Sequence, residues 1–317
     1  MNRLYLLAGC VLLATALALV AGCSSTSTGP ITRAVGDTTS SVYQTASVVF
    51  DTAQSYGVEA LSGTFDMAAS VYAVQSPNHP TGSPSVVSPV FHADSKYWYR
   101  SRSGTSYTHP FGHPDSILDS IPWLQQDSVQ FRNGDSAVMT PDSASLVEVK
   151  SGCSFRAHAA NGPDSLLASH TFDVTGAPGQ IWSKGSVVIN ATGSTHADLT
   201  RLRHRHDSLT VCDVAVDLNS SWQNINTNIT MALDSGQCPT SGVINHMGTL
   251  NVACSNGVDS LKFAGAWART KTFNNGMVTI VYVSPTTQWT VTRTCGSDAG
   301  GLLAPMGSDR TDPLAVK

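Results

Sequence analysis

The chain has 317 residues and a formal net charge of −4, and only 13% of its residues are charged. Two residues are Glu and six are Lys, so the residues that favour exposed helices are scarce and a mostly helical fold is not expected. Because there is no basic surplus to neutralise phosphates, nucleic acid is not expected as a partner.

The first 22 residues have the pattern of a signal peptide. A short cationic start, Met1–Arg3, precedes residues 4–21, which are almost all aliphatic or small. Small residues then precede Cys23, and the polar stretch Ser24–Pro30 follows it. This arrangement resembles the lipobox of bacterial lipoproteins. The resemblance implies that residues 1–22 are removed and that Cys23 receives a diacylglycerol and a further acyl chain such as palmitate.

Two or three acyl chains are enough for stable anchoring in a membrane. We therefore expect a protein of the cell envelope that is held at the membrane through Cys23, with residues 23–40 as a Ser/Thr-rich tether. Ser24 rather than Asp follows the cysteine, which in this family implies the outer membrane if the host is Gram-negative. An uncleaved anchor is the alternative.

Residues 41–76 form the predicted helical segment. Their apolar residues recur with a period close to 3.6, and Ser41 with Gln44 predicts a capping box at the start. Gly57 and Gly63 weaken the middle, so the pattern allows one kinked helix or two. The segment has three acidic residues and no basic ones, and a helix with so few charges is expected to be covered on more than one side.

Residues 77–296 predict an antiparallel β domain. The apolar period changes to two from about residue 90, and residues 277–283 are apolar on both faces, which indicates a central strand. Residues 274–276, Asn-Asn-Gly, predict a hairpin turn. The fold class is therefore mainly β with an N-terminal helix (α+β), an antiparallel meander arranged as a half-barrel or a sandwich. Residues 297–317 predict a loosely ordered tail.

Ten of the 20 Asp residues are followed directly by Ser, several times the number expected from composition. Both side chains bond readily to the backbone of the residues that follow, which favours turns. We interpret these pairs, including those that begin at Asp127 and Asp164, as turns that precede strands rather than as calcium ligands.

Five cysteines remain after the leader and the lipidated residue, so two disulfides and one thiol are expected in an oxidising compartment. Cys238 and Cys254 flank an apparent hairpin and are the predicted pair. No Cys-x-x-Cys spacing occurs, so the sequence does not support a zinc ribbon.

Ionisable residues are most concentrated in the segment 201–207. If this strand runs straight on, its histidines lie at the end of a core face, and we prefer this interpretation because it separates polar from apolar residues. If the chain instead turns at Asp207–Ser208, then His204, His206 and Asp213 share a face and could bind a divalent metal with an open position.

Catalytic motifs are missing from the sequence. No Gly-x-Ser-x-Gly, His-Glu-x-x-His, Walker or Gly-x-Gly-x-x-Gly motif occurs, so the chain is not predicted to be an enzyme. His109 and His113 fall in a stretch rich in Pro and Gly, which predicts a loop. Alternation places Tyr97 and Tyr99 on one strand face and Trp98 on the other. Such rings could stack on sugars or a partner protein, or anchor a strand in the core.

The predicted helix, almost without charge and packed on a Val/Ile/Phe-rich sheet, favours a noncatalytic envelope protein that binds an apolar ligand or lipid, such as an acyl chain. At the level of architecture only, this resembles the lipoprotein-carrier and lipid-binding half-barrels of the bacterial envelope. Two alternatives stay open: a surface adhesion or interaction module with an envelope protein or glycan as partner, and a metal-dependent or serine hydrolase. No cofactor is expected beyond the acyl modification of Cys23.

Overall fold

One long helix and one antiparallel sheet make up the part of the chain that the computed structural model describes. The described residues are 33–75, 89–94, 96–106, 121–139, 143–159, 162–176, 186–205, 208–228 and 238–295. Most of them lie in strands.

The single helix, α1, spans Ser41–Gln75. The strands are β1 Ala34–Val35, β2 Val90–His92, β3 Tyr97–Ser106, β4 Ile121–Asn133, β5 Ser136–Ala137, β6 Leu146–Ala159, β7 Gly162–Thr175, β8 Ser186–Arg205, β9 Ser208–Asn228, β10 Ser241–Ser255, β11 Ser260–Asn274, β12 Met277–Val283 and β13 Thr287–Thr294.

The strands form a single 13-stranded sheet that follows the chain as a meander. Their order is β1-β13-β12-β11-β10-β9-β8-β7-β6-β4-β3-β2, with β5 paired to β4 beside this path. The two ends of the order do not pair, so the sheet is not closed. The predicted class, mainly β with one N-terminal helix, is confirmed. By backbone contacts, the described residues from Val35 onward belong to one compact unit.

The helix begins one residue earlier than the predicted capping box requires. Ser41 is already the first helical residue, and the preceding Ser40 is the cap. The amide of Tyr43 donates to the hydroxyl of Ser40 at 3.4 Å, and the amide of Gln44 donates to the Ser40 carbonyl at 3.0 Å. The box predicted at Ser41 is therefore wrong, because a capping side chain must belong to the residue before the first turn.

Alternate residues of each strand face α1, and we call that side of the sheet the inner face and the opposite side the outer face. The helix contacts β4, β6, β7 and β11. Tyr43 packs edge-on against Tyr282 of β12, and Phe50 packs against Tyr282 and against His246 of β10. Phe50 and Met67 of α1 have no exposed surface, so the helix contributes directly to the core.

Strands β8 and β9 form a hairpin, with Arg205 paired to Ser208. The preferred interpretation of a straight strand through this segment is therefore wrong. A continuous strand over both elements would extend roughly 140 Å, whereas the reversal lets both halves place apolar residues on one inner face. The connecting residues, His206 and Asp207, lie outside the described residues.

The two disulfides join Cys212 to Cys254 and Cys238 to Cys295. Cys238 and Cys254 are both bonded, but the predicted bond between them is wrong. Cys238 precedes β10, and Cys254 is the second-last residue of that strand. Most of the extended length of β10 therefore lies between the two cysteines, too far for a direct bond. Cys254 instead lies directly opposite Cys212 in the ladder between β9 and β10.

Candidate functional site

A row of polar residues crosses the inner face of the sheet. Each member lies opposite the next in the strand register, which brings together side chains far apart in sequence. From β3 to β13 the row is Arg100, Asp127, Ser151, His170, Gly193, Ser220, His246, Arg269, Tyr282 and Trp289.

Asp51 of α1 bridges two cations of β11 in this region. Its Oδ1 lies 2.7 Å from Nη1 of Arg269 and 3.3 Å from Nζ of Lys271. Gln54, one turn further along, accepts a hydrogen bond from Nη2 of Arg269 at 2.6 Å. Arg269 and Lys271 are buried, while the Asp51 side chain keeps 21% exposure. This cluster fixes α1 on the sheet, because two cations buried without the carboxylate would be strongly unfavourable.

Two buried histidines of the row are uncharged at neutral pH. Nδ1 of His246 lies 3.3 Å from Nη2 of Arg269 and accepts a hydrogen bond from it, since a guanidinium can only donate. Burial, reinforced by the charges of Arg269 and Lys271, lowers the pKa of His246 well below its ordinary value. Burial alone lowers the pKa of His170 to about 4.

Two glycines allow the helix and the sheet to approach His170 closely. A side chain on Gly193, the residue opposite His170 on β8, would overlap the imidazole ring. A Cβ on Gly57 of α1 would lie 3.1 Å from Nε2 of the same ring and 3.3 Å from the indole of Trp222. Gly57, which only weakened the predicted helix, therefore lies at a close contact between helix and sheet.

Ser220 is the hydroxyl of the row that lies directly opposite His246. Its Oγ is buried and has no hydrogen-bond partner among the described residues. A nucleophilic serine requires a base in hydrogen-bond contact and access for a substrate. His246 makes no such contact and is only 2% exposed, so the two residues do not form a nucleophile–base pair.

At the other end of the row, Arg100 and Asp127 form a buried ion pair. Nη2 of Arg100 lies 3.0 Å from Oδ2 of Asp127, and Nε2 of Gln125 donates to Oδ1 at 3.0 Å. The predicted turn at Asp127-Ser128 is therefore wrong, because this Asp lies in the middle of β4 and its carboxylate is satisfied across the sheet. Asp164 likewise lies within β7.

The outer face carries a groove of about 600 Å³ across β3, β4, β6 and β7. Its lining residues alternate with the inner-face residues of the same strands, and Asp127 and His170 border it as well. From the outer face the groove is lined by Tyr97, Tyr99, Gln126, Ser128, Gln130, Glu148, Gly152, Ser169 and Thr171.

Gly152 of β6 forms the floor of the groove. It lies opposite Gln126 of β4 and Ser169 of β7. A Cβ built on Gly152 would meet no atom within 4 Å, so the space above this residue is open. The missing side chain therefore leaves a depression between two neighbouring strands.

Aromatic rings form one side of the groove. The ring of His92 stacks on that of Tyr97 with the centroids 4.7 Å apart, and it meets Tyr99 edge-on at 6.1 Å. Nε2 of Gln126 donates to the Tyr99 hydroxyl at 2.8 Å and so holds this ring against β4. Trp98, in contrast, packs against the core, and the predicted alternation of the three aromatic residues is confirmed.

Amides, hydroxyls and a carboxylate form the rest of the groove. Oε2 of Glu148 lies 3.3 Å from Nη1 of Arg132, which places the carboxylate beside Gln130. Lys150 occupies the register position between Ser128 and Thr171. The sequence pattern could have indicated these residues as one face of a strand, but it could not show which strands are neighbours.

The predicted metal ligands are not brought together where they can be placed. His204 lies opposite Leu209, and Asp213 lies opposite Thr200. The two positions share a face but are four residues apart, roughly 13 Å along the strands. His206 lies outside the described residues, so the metal site stays a prediction. Among the described residues, no group of three or more His, Cys, Asp and Glu side chains is arranged to hold a metal ion.

The predicted lipidation site and the second pair of histidines cannot be located on the sheet. Cys23, with the leader and most of the tether, lies outside the described residues, as do His109 and His113. No helix in the described ranges combines the length and the apolar character that crossing a membrane requires.

Comparison of the chain with known proteins finds no matching protein family, no matching curated protein and no matching solved structure.

Proposed function

We propose that this chain is a noncatalytic, lipid-anchored binding module of the cell envelope whose ligand site is the outer groove. The observation that carries this proposal is the groove itself, an open depression of about 600 Å³ with aromatic and hydrogen-bonding side chains on the same surface. Concave sites that combine these two kinds of side chain are typical ligand sites.

The position of the groove on the sheet supports this role. Its floor strands β4, β6 and β7 are hydrogen-bonded on both sides, so their backbone is rigid and their outward side chains are held at fixed spacings. Sites on such paired strands are positioned more accurately than sites on loops. The polar cluster beneath α1 is buried and serves the packing of the helix, so it does not compete as a ligand site.

The anchor is the second part of the proposal. Cys23 receives the acyl chains, and residues 24–40 separate them from the start of α1 at Ser41. The module is thereby held at the envelope membrane, the outer membrane in a Gram-negative host. Residues 24–33 precede β1, which pairs with β13, and they form a tether that lets the sheet present its outer face to material near the membrane.

The prediction of an apolar ligand or lipid has less support. That prediction was based on the nearly uncharged helix. The apolar residues of α1 are instead occupied in packing against the inner face of the sheet, so they do not indicate a ligand. Phe50, Leu61, Met67 and Val71 are each at most 1% exposed. The hydrolase alternative has less support still, because Ser220 and His246, which lie opposite each other, do not form a nucleophile–base pair.

A sedimentation assay tests the ligand site. The mature chain from Ser24, without the anchor, is mixed with envelope material of the producing cell and centrifuged. We expect the wild-type chain to sediment with the envelope and Gly152→Trp to stay in solution, because the indole fills the groove without meeting a neighbour. Ala264→Trp is the matched control, on the exposed outer surface of β11 and roughly 24 Å from β6.

Two results would contradict the proposal. Wild-type chain that stays in solution would remove the reason for a binding role, and equal sedimentation of both variants would place the ligand elsewhere. An unchanged thermal melt of Gly152→Trp must accompany the assay, so that loss of binding is not confused with loss of folding.

A further inference from the structure

The groove has two kinds of surface, and a ligand that fills it must match both. One side consists of aromatic rings and the other of amides, hydroxyls and the Glu148 carboxylate, which is paired with Arg132. A suitable ligand must therefore offer apolar patches and many hydroxyl or amide groups in close alternation.

The aromatic side is a continuous surface rather than a set of isolated rings. The ring of His92 contacts both Tyr97 and Tyr99, with centroid distances of 4.7 and 6.1 Å. Neighbouring strands are about 4.8 Å apart, so the rings cover a width similar to one strand spacing. Stiff aromatic rings provide contact area at a small cost in conformational entropy.

The polar side offers both hydrogen-bond donors and acceptors. Gln126 and Gln130 each carry a carboxamide, which donates and accepts, and Ser128, Ser169 and Thr171 carry hydroxyls that do the same. The Glu148 carboxylate adds acceptors and is paired with Arg132. Groups of this kind match the hydroxyls of a sugar, each of which is both donor and acceptor.

The geometry disfavours a peptide or an apolar helix as the ligand. A peptide that adds to a sheet needs a free strand edge, and the floor strands β4, β6 and β7 are paired on both sides, so such a peptide would add at the end strand β2 and not across the floor of the groove. An amphipathic helix needs a mainly apolar groove, whereas most of the lining residues here are polar.

We infer that the ligand of the groove is a glycan chain, whose ring faces lie against Tyr97 and Tyr99 and whose hydroxyls bond to the side chains of β4 and β7. This inference rests on the proposed function, since it names the ligand class of the same groove. A sugar ring satisfies both surfaces because it has an apolar C–H face and a polar rim.

Treated envelope material tests the ligand class. Samples are oxidised with periodate, which cleaves the vicinal diols of sugars, digested with protease, or extracted with organic solvent, and are then used in the sedimentation assay. We expect periodate to abolish sedimentation of the wild-type chain, and protease digestion and solvent extraction to leave it unchanged. Loss after protease would assign a protein ligand, and loss after solvent a lipid, and either result overturns the inference.

A pair of tyrosine variants tests the stacking geometry. Tyr99→Ala removes the ring and should weaken binding to the envelope material about tenfold, whereas Tyr99→Phe keeps the ring and should retain most of the affinity. Met247→Ala, on the exposed outer surface of β10, is the control. Equal affinities of wild type and Tyr99→Ala would overturn the inference.

Failure of the inference is distinguishable from failure of the proposed function. If the wild-type chain sediments with untreated envelope and Gly152→Trp does not, the groove is a ligand site. Periodate resistance in that situation overturns the glycan inference alone.

Discussion

The Asp51 carboxylate faces two cations, Arg269 and Lys271, at the buried contact between α1 and β11. The guanidinium also lies over the ring of Phe50, 5.4 Å from its centroid, and donates to Gln54. Removing one partner of such a cluster costs more than the pair contributes, because the remaining charges stay buried.

Asp51→Asn should therefore destabilise the chain by about 3 kcal/mol. The amide still accepts a hydrogen bond but removes the negative charge that Arg269 and Lys271 share. Urea unfolding at pH 7 measures the loss. Asp217→Asn, at an exposed position of β9, is the control and should change the free energy of unfolding by less than about 0.5 kcal/mol. Equal stabilities of the two variants would show that the cluster does not hold the helix.

Stability should also fall in mild acid. An imidazole with a lowered pKa binds fewer protons in the folded chain than in the unfolded chain. Its contribution to the free energy of unfolding is therefore fully present above pH 6.5 and is lost as the pH falls toward the folded pKa, about 4 for His170. Between pH 7 and 5 this residue should cost about 2 kcal/mol. His246, whose pKa is also lowered by burial, adds a loss in the same direction.

The comparison of His170→Gln with wild type isolates this effect. The variant should lose less stability between pH 7 and 5, measured by urea unfolding at both values. His196→Gln, on the exposed outer surface of β8, is the matched control and should keep the wild-type pH dependence. Identical pH profiles of wild type and His170→Gln would contradict the assignment of a buried, neutral ring.

At the scale of elements, α1 depends on a cap that the sequence pattern placed one residue too late. Ser40 and Ser41 are both serines, and only the hydrogen bond from the Tyr43 amide to the Ser40 hydroxyl distinguishes them. Asp37 stabilises the turn that leads into the helix by accepting hydrogen bonds from the amide and hydroxyl of Thr39 at 2.8 and 2.7 Å.

Ser40→Ala should lower the free energy of unfolding by about 1 kcal/mol, as loss of an N-cap generally does. Ser41→Ala should have a much smaller effect, because that residue already has helical geometry. Thermal melts of the two variants measure the difference. A larger loss for Ser41→Ala would restore the capping box that the sequence predicted.

One of the two disulfides joins elements that are not neighbours in the sheet, and the other links the paired strands β9 and β10. Cys238–Cys295 ties the segment before β10 to the end of β13, across the two intervening strands. It closes a loop with a sequence separation of 57 residues, and Cys212–Cys254 closes one of 42. Loop closure of this length constrains the unfolded chain by about 4 kcal/mol in the chain-entropy description.

A non-reducing peptide map should show these two bonds. Cys295→Ser should destabilise the chain by about 2–4 kcal/mol and leave a free thiol at Cys238. Recovery of a peptide that links Cys238 to Cys254 would contradict the pairing and support the one predicted from the sequence.

Local patterns predicted the inner faces of strands well. The period of two predicted from about residue 90 is confirmed in β10, where Ile244, Leu250 and Cys254 are buried on one face, because alternation follows directly from strand geometry. The hairpin between β8 and β9 was only the alternative, a turn at Asp207–Ser208, because a straight strand separates polar from apolar residues better. The buried position of Asp127 within a strand was not predicted, because its partner Arg100 is on another strand and no local sequence pattern indicates the ion pair.

At the scale of the whole molecule, the fold class could be read from the sequence and the ligand groove could not. Scarce Glu and Lys and a period of two already indicate a β domain. The groove requires neighbours from β3, β4, β6 and β7, which only the sheet order provides. Tyr97 and Tyr99 were the one part indicated in advance, as two rings on a single strand face.

The proposed lipid anchor at Cys23 is tested at the same scale. Cys23→Ser should leave the leader attached or release the chain from the membrane, because the acylated residue is then missing. Membrane fractionation with an intact-mass measurement checks this outcome. A variant that is cleaved after residue 22 and stays in the membrane fraction would contradict anchoring at Cys23.

The most direct measurement is hydroxyl-radical footprinting of the mature chain with and without envelope material. Binding in the outer groove should reduce oxidation of Tyr97 and Tyr99, while Met247, 61% exposed on the outer surface of β10, keeps its reactivity as an internal reference. Protection confined to other segments, with Tyr97 and Tyr99 unchanged, would contradict a ligand site in the groove.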